Sequence, residues 1–234
     1  MKISIEFPSV AYREGPAGVM KLAKAIESIG YDQIDMFDHV VMGYPTDTRA
    51  APMYPPQMPI MEALMVLSYI AACTTKIGLG TEVLVLPQRQ PTLVAKQIST
   101  LDTLSGGRVR LGVGVGWQAS EYEALGENFH DRGKRMDEAI RFLRHWFSDA
   151  KVDFNGTYYQ AIAMAMEPKS PRGGKLPIWV GGGGVEHLQH LNVSVNSRMV
   201  GWARQTSIRR ARSGRFIRFV RQPQLPVEIL HPSV

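Results

Sequence analysis

An acid and a histidine stand side by side at Asp38-His39, closing a segment, Tyr31 to Val41, that reads as a β-strand. A histidine at a strand end, ahead of a long loop, can donate a proton or hydrogen-bond a flat ring near neutral pH. A structural capping role is the other reading, and for a single histidine it is the commoner one. Gly181 to Gly184 follow Pro177-Ile178-Trp179-Val180. Glycines there let backbone amides approach a phosphate closely, and they serve equally well as a flexible turn. Gly112, Gly114 and Gly116 alternate and lead into Trp117. A strand without side chains at every second position lets a flat body or another backbone pack against it. Trp117 would then border a planar ring or simply plug the mouth of a barrel. Asp131-Arg132-Gly133-Lys134-Arg135 reads as a solvated helix start.

Other chemistries find no support. The alternating glycines lack the helix-opening third glycine of a dinucleotide fingerprint, and no Lys-Ser/Thr follows Gly181–Gly184 as a P-loop requires. No serine or cysteine nucleophile motif appears, and no His/Asp/Glu spacing points to a metal. The one cysteine, Cys73, excludes an internal disulfide, so a reducing cytoplasm is the expected location. No stretch approaches the roughly 18 apolar residues of a membrane helix.

These residues need elements to hold them. Lys2 to Phe7 alternates polar and apolar residues, as a strand does. Pro16 to Ile29 has apolar residues at helical spacing, with a proline in the first turn and Gly30 as its stop. After the strand ending at Asp38-His39 comes a Pro/Met/Tyr-rich loop, Met42 to Pro59, long enough to be functional and apolar enough to line a pocket. The pattern predicts a helix over Ile60–Cys73, a strand over Lys76–Leu86 carrying Thr81 and Glu82, a helix over Pro91–Leu104 and a strand over Arg108–Gly116. It then predicts a helix over Arg132–Phe147, one extended stretch over Val152–Met166 and a strand over Leu176–Val180. Strands alternating with helices of this length imply βαβ units and a parallel sheet, with ligands at the C-terminal strand ends.

Charge divides the chain in two. Residues 1–184 hold 19 Lys+Arg against 19 Asp+Glu, so the net +6 comes from residues 185–234, with 8 Arg against Glu186 and Glu228. The tail shows no periodic pattern across residues 209–221, and Pro223 and Pro226 break any helix there. It reads either as a solvated basic tail or as the product of a frameshift or truncation near residue 184. The expected division is therefore a barrel portion, 1–184, and an atypical Arg-rich tail, 185–234. His187 and His190 lie in that tail and are not read as ligands. Nucleic-acid binding would need the basic residues displayed on a folded face, and no such motif is present.

Taken in order, Ile34-Asp35-Met36-Phe37-Asp38-His39-Val40, Ile77-Gly78-Leu79-Gly80-Thr81, Pro91-Thr92-Leu93-Val94-Ala95-Lys96, Leu101 to Arg108, Gly112 to Trp117, Glu121 to Gly126 and Pro177 to Gly182 resemble the luciferase-like monooxygenase superfamily, most closely its F420-dependent oxidoreductase branch. The resemblance spans about residues 1–184. It implies a (β/α)8 TIM barrel, here incomplete at its C-terminus, with the cofactor at the C-terminal mouth. The implied cofactor is F420, with FMN the alternative, and the implied reaction is hydride transfer or monooxygenation on a small organic substrate. On matching positions, His39 becomes the candidate proton donor beside Asp38, and Thr81 a cofactor contact. Val115 and Gly116 become the backbone under the ring, and Gly182 and Gly183 the start of the phosphate loop. Trp117 stands where the sugar-phosphate dehydrogenase branch carries a catalytic glutamate, which argues against that substrate. The Gly-Asp-Gly-Trp strand of the family is missing after Gly184. The competing expectation is an inactive or unstable fragment that binds no cofactor. Open sheet edges in such a barrel favour aggregation or rescue as a homodimer.

Overall fold

Strands and helices alternate along residues 2–182, which with Val200–Gly201 are the residues that this computed structural model describes. Strand β1 (Ser4–Glu6) passes through a 3-10 turn, Ser9–Glu14, to helix α1 (Gly15–Ile29) and β2 (Gln33–Met36). Next come α2 (Ala63–Cys73), β3 (Gly78–Thr81), the two-residue β4 (Leu84–Val85), α3 (Pro91–Leu104), β5 (Val109–Gly114), the short α4 (Ala119–Ala124) and α5 (Arg132–Ser148). β6 (Val152–Asn155), β7 (Gln160–Met164), β8 (Ile178–Gly182) and β9 (Val200–Gly201) follow. The main sheet runs β1-β2-β3-β5-β8-β9 with β4 also on β5, and every pairing in it is parallel. This is the α/β layout of a TIM-type barrel wall. The tail expected at 185–234 lies outside the described residues, apart from Val200 and Gly201, which pair with Gly181 and Gly182.

Alternation along each strand decides what faces where. Ile34 and Met36, Leu79, Leu111 and Val113, and Ile178 and Val180 join one core with Val19, Ala23 and Ile26 of α1, Val94, Ile98 and Leu101 of α3, and Ile140, Leu143 and Phe147 of α5. The intervening positions turn to the other face, and there the sheet is polar. Asp35, Gly80 and Arg110 sit in one row of neighbouring strands. The Arg110 guanidinium reaches Asp35 at 2.5 and 2.6 Å and lies 3.9 Å over the Trp179 ring. Gly80 makes this possible, because a Cβ there would overlap the Asp35 carboxylate and the Gln33 amide. Two buried charges are tolerated when each satisfies the other.

Four expected elements differ. The second strand ends at Met36, not Val41, because Asp38 is drawn out of the sheet by side-chain and backbone donors from the chain after β4 and from β4 itself. The third breaks into β3 and β4 around Glu82-Val83, whose peptide bond is cis, and Leu86–Gln88 form a 3-10 turn rather than continuing the strand. The single stretch over Val152–Met166 is an antiparallel hairpin. Glu138 of α5 builds its turn, accepting from the backbone N–H groups of Thr157, Tyr158 and Tyr159 at 2.7–3.0 Å. Helix α2 starts three residues later than expected, where Glu62 caps it by accepting from the Met65 N–H. Among the described residues, no helix is long and apolar enough to cross a membrane, and no group of three or more His, Cys, Asp or Glu could hold a metal ion.

Candidate active site

Past the C-terminal end of β2 the chain turns at Asp38-His39, and both side chains are buried. They face different partners. The Asp38 carboxylate accepts from the Val85 N–H at 3.1 Å and from the Arg89 guanidinium at 2.7 and 3.3 Å. Arg89 in turn reaches Glu62 at 3.0 Å, so one cation ties the end of β2 to the cap of α2. Burial pushes the Asp38 carboxyl above its usual range, against the opposing pull of Arg89 and the Val85 amide. Burial also disfavours the charge on Arg89, but Asp38 and Glu62 outweigh it and the guanidinium is held protonated. The geometry, three N–H donors on one carboxylate, is that of an ionised pair.

His39 instead meets Glu121, in the six-residue helix α4. His39 Nδ1 lies 3.0 Å from Glu121 Oε2, which also accepts from Gln88 Nε2 at 3.2 Å. Glu121 Oε1 accepts from the Val40 N–H at 2.5 Å and the Val41 N–H at 3.3 Å. Burial raises the Glu121 pKa, but His39, Val40 and Gln88 together bring it below the usual carboxylate value. One buried carboxylate therefore orients the histidine and pins the first residues of the loop that follows it.

Three further rings surround His39. Trp117 lies 5.3 Å from it at 71°, Tyr54 5.9 Å at 68° and Phe37 6.4 Å at 71°, all edge to face. Tyr54 also contacts Trp117 at 6.1 Å, so the loop from Met42 to Pro59 folds back over the strand ends. A cleft of about 390 Å³ opens beside them, lined by the loop at Arg49, Ala51 and Pro52 and by Trp117, Gln118 and Ser120. Arg49 and Glu123 pair across its rim at 2.7 Å. Its lining mixes the apolar Ala51, Pro52 and Trp117 with the polar Arg49, Gln118, Ser120 and Glu123.

The alternating glycines have a structural cause. A Cβ at Gly112 would overlap the Thr81 carbonyl oxygen, and one at Gly116 would come within 2.6 Å of Val85 Cγ1. Of the two packing partners expected for this face, a flat body or another backbone, the described residues show the β3–β4 chain. Thr81, expected as a cofactor contact, donates its hydroxyl to the Gly112 carbonyl at 2.6 Å and accepts from the Gly112 N–H at 3.0 Å, which closes the seam between the strands. Val115 offers its carbonyl to the Tyr122 hydroxyl at 2.7 Å, and Gly116 takes a left-handed φ of 66° that turns the chain into Trp117. Gly182 is the last residue of β8. Gly183 lies outside the described residues.

The fold thus gathers His39, Trp117, Val115 and Gly116 at one end of the sheet, with Asp38 turned away into its own ion pair. Glu121, Gln88, Arg89 and Tyr54 were not singled out as site residues from sequence. Tyr54 carried a weak signal as a loop aromatic. Glu121 was noted only as the start of a family-like run, and Gln88 and Arg89 carried no signal, since nothing local marks such a residue as buried.

The profile of the luciferase-like monooxygenase family matches residues 2–194. The chain belongs to the luciferase-like monooxygenase family. Over 169 residues it is 35% identical to an uncharacterized protein of Mycobacterium tuberculosis, covering 69% of this chain and 57% of that one. Over 188 residues it is 27% identical to an F420-dependent glucose-6-phosphate dehydrogenase of Amycolatopsis mediterranei, covering 78% and 52%. This luciferase-like chain therefore spans a little over half the length of the curated relatives it matches. Two solved structures share its fold. One is an F420-dependent secondary alcohol dehydrogenase with an F420-acetone adduct, at a TM-score of 0.63, 24% identity and coverage of 80% and 54%. The other is the oxygenating constituent of a diketocamphane monooxygenase of Pseudomonas putida with FMN, at 0.63, 20% identity and coverage of 79% and 52%.

Proposed function

We propose that this chain carries the cofactor end of an oxidoreductase that uses F420, with FMN the alternative, and transforms a small organic substrate. The observation that carries the reading is the buried histidine at the strand ends, held through Nδ1 by Glu121 and walled by Tyr54 and Trp117. The family and its F420- and FMN-named relatives support it. The residues fit a planar ring in their chemistry: aromatic walls at Tyr54 and Trp117 and one ring nitrogen of His39 that Glu121 does not use. The bound ring would supply the hydride or oxygen chemistry. His39 would hold or release the proton at Nε2 that balances the change at the substrate, Trp117 and Tyr54 would exclude water and bind the apolar part of the substrate, and the loop from Met42 to Pro59 would cover it. Trp117, in place of an acid, disfavours a sugar phosphate and favours a less polar substrate.

The test is to titrate the purified chain separately with F420 and FMN, following cofactor fluorescence and melting temperature. A melting shift and tight binding of F420 alone support the proposal in full. Tight binding of FMN alone changes the cofactor and keeps the reaction class. No binding of either, with a broad melt, overturns the proposal in favour of an inactive fragment.

A further inference from the structure

Glu121 does more than staple a loop. We propose that it is a positioning residue that holds the proton on Nδ1 of His39, leaving Nε2 as the atom through which the site takes up and returns a proton; this rests on the role proposed above for His39.

A neutral imidazole has one N–H and one bare nitrogen, and the partner of one nitrogen decides the state of the other. Glu121 is buried, and each of its described contacts comes from a donor or from His39. Oε1 takes the Val40 and Val41 N–H groups, and Oε2 takes the Gln88 amide. An ionised carboxylate is acceptor-only, so the 3.0 Å contact to His39 Nδ1 requires the hydrogen on Nδ1. The lowered pKa of Glu121 agrees with this state. The rings that face His39, Phe37, Tyr54 and Trp117, meet it edge to face, and Asp38 is engaged by Arg89. Neutral His39 is therefore an Nδ1–H tautomer, the reverse of the form that free histidine favours in water, and its Nε2 lone pair accepts a proton. Once charged, the same Nε2 donates.

Glu121→Gln separates the two roles. The carboxamide keeps an oxygen for Val40 and Val41, so the staple survives, but it turns an NH2 toward His39 Nδ1. Gln88 can accommodate the change, because its own Oε1 is buried and has no hydrogen-bond partner. The experiment is long-range 1H–15N correlation on the full chain with 15N-labelled imidazoles, at a pH where His39 is neutral and with no cofactor added. The chain has 6 histidines, and the spectrum of His39→Gln identifies the signal by its loss. We expect the protonated-type nitrogen at Nδ1 and the bare-type nitrogen at Nε2, and an exchange of the two in Glu121→Gln. An Nε2–H tautomer in the wild-type chain overturns the inference, and so does a tautomer unchanged in a folded Glu121→Gln. If that variant does not fold, the wild-type spectrum decides alone. The readout needs neither cofactor nor turnover. The predicted tautomer together with full turnover in His39→Gln would sink the functional proposal and leave the Glu121 assignment standing. Turnover that depends on His39, with the opposite tautomer, would do the reverse.

Discussion

Arg89→Met should destabilise this protein more at pH 7 than at pH 5, because it strands the Asp38 carboxylate. That side chain is 1% exposed, and without Arg89 its one remaining partner among the described hydrogen bonds is the Val85 N–H at 3.1 Å. Breaking a buried pair from one side costs about 3–5 kcal/mol. Asp38 can escape by taking up a proton, which sets a ceiling. From an ordinary pKa near 3.9, neutralising a carboxylate costs about 4 kcal/mol at pH 7 and about 1.5 kcal/mol at pH 5. The expected loss is therefore roughly 3–4 kcal/mol at pH 7, or about 6–16 °C in Tm at this chain length, and less than half of that at pH 5. The sign is consistent: in the variant the folded pKa of Asp38 lies further above its unfolded value, so stability is retained at low pH and lost as pH rises through the interval between them. Asp38→Asn in the Arg89→Met background removes the stranded charge and should recover most of the loss, a coupling read by the double-mutant cycle. Thermal and urea melts of the four proteins at both pH values make the measurement. A loss in Arg89→Met that does not depend on pH, or a double variant no more stable than Arg89→Met, would refute the reasoning.

His39→Gln should lower turnover by about 10²–10⁴-fold while leaving cofactor affinity within a few-fold, as removal of a general acid–base group does; steady-state rates and a fluorescence titration check both halves. Gly116→Ala puts a Cβ at a left-handed φ of 66° and within 2.6 Å of Val85 Cγ1, so it should cost about 1–3 kcal/mol by urea melt, and an unchanged melt would remove the strain argument. The lowered pKa of Glu121 makes its contribution present above the unfolded value near 4.5 and lost as pH falls through the folded one, so the acid limb of Tm against pH should be shallower in Glu121→Gln than in the wild-type chain.

Much of the fold was legible because local periods carry it. The apolar residues of α1, α3 and α5 repeat at helical spacing, and those of β2 and β5 alternate, so both the elements and their buried faces could be read directly. Elements whose limits depend on distant groups were misjudged. β2 stops where Asp38 leaves for Arg89, and the β6–β7 turn is held by Glu138, which reaches it from α5.

The site divides in the same way. The order of motifs was enough to establish the family, the strand end that bears Asp38-His39 and the glycine face running into Trp117. Which groups those residues meet was decided by contacts the sequence leaves unmarked. His39 meets Glu121 across 82 residues and Asp38 meets Arg89 across 51, so two neighbours in sequence serve two separate partners. The glycines at 112 and 116 look alike in sequence whether a cofactor or the protein itself fills their open side, and tertiary packing fills it with Thr81 and Val85. A period of two or 3.6 residues records which side of an element is buried. It does not record which acid the closing of a parallel sheet brings against which base, because that distance is set by where whole elements lie and not by their spacing along the chain.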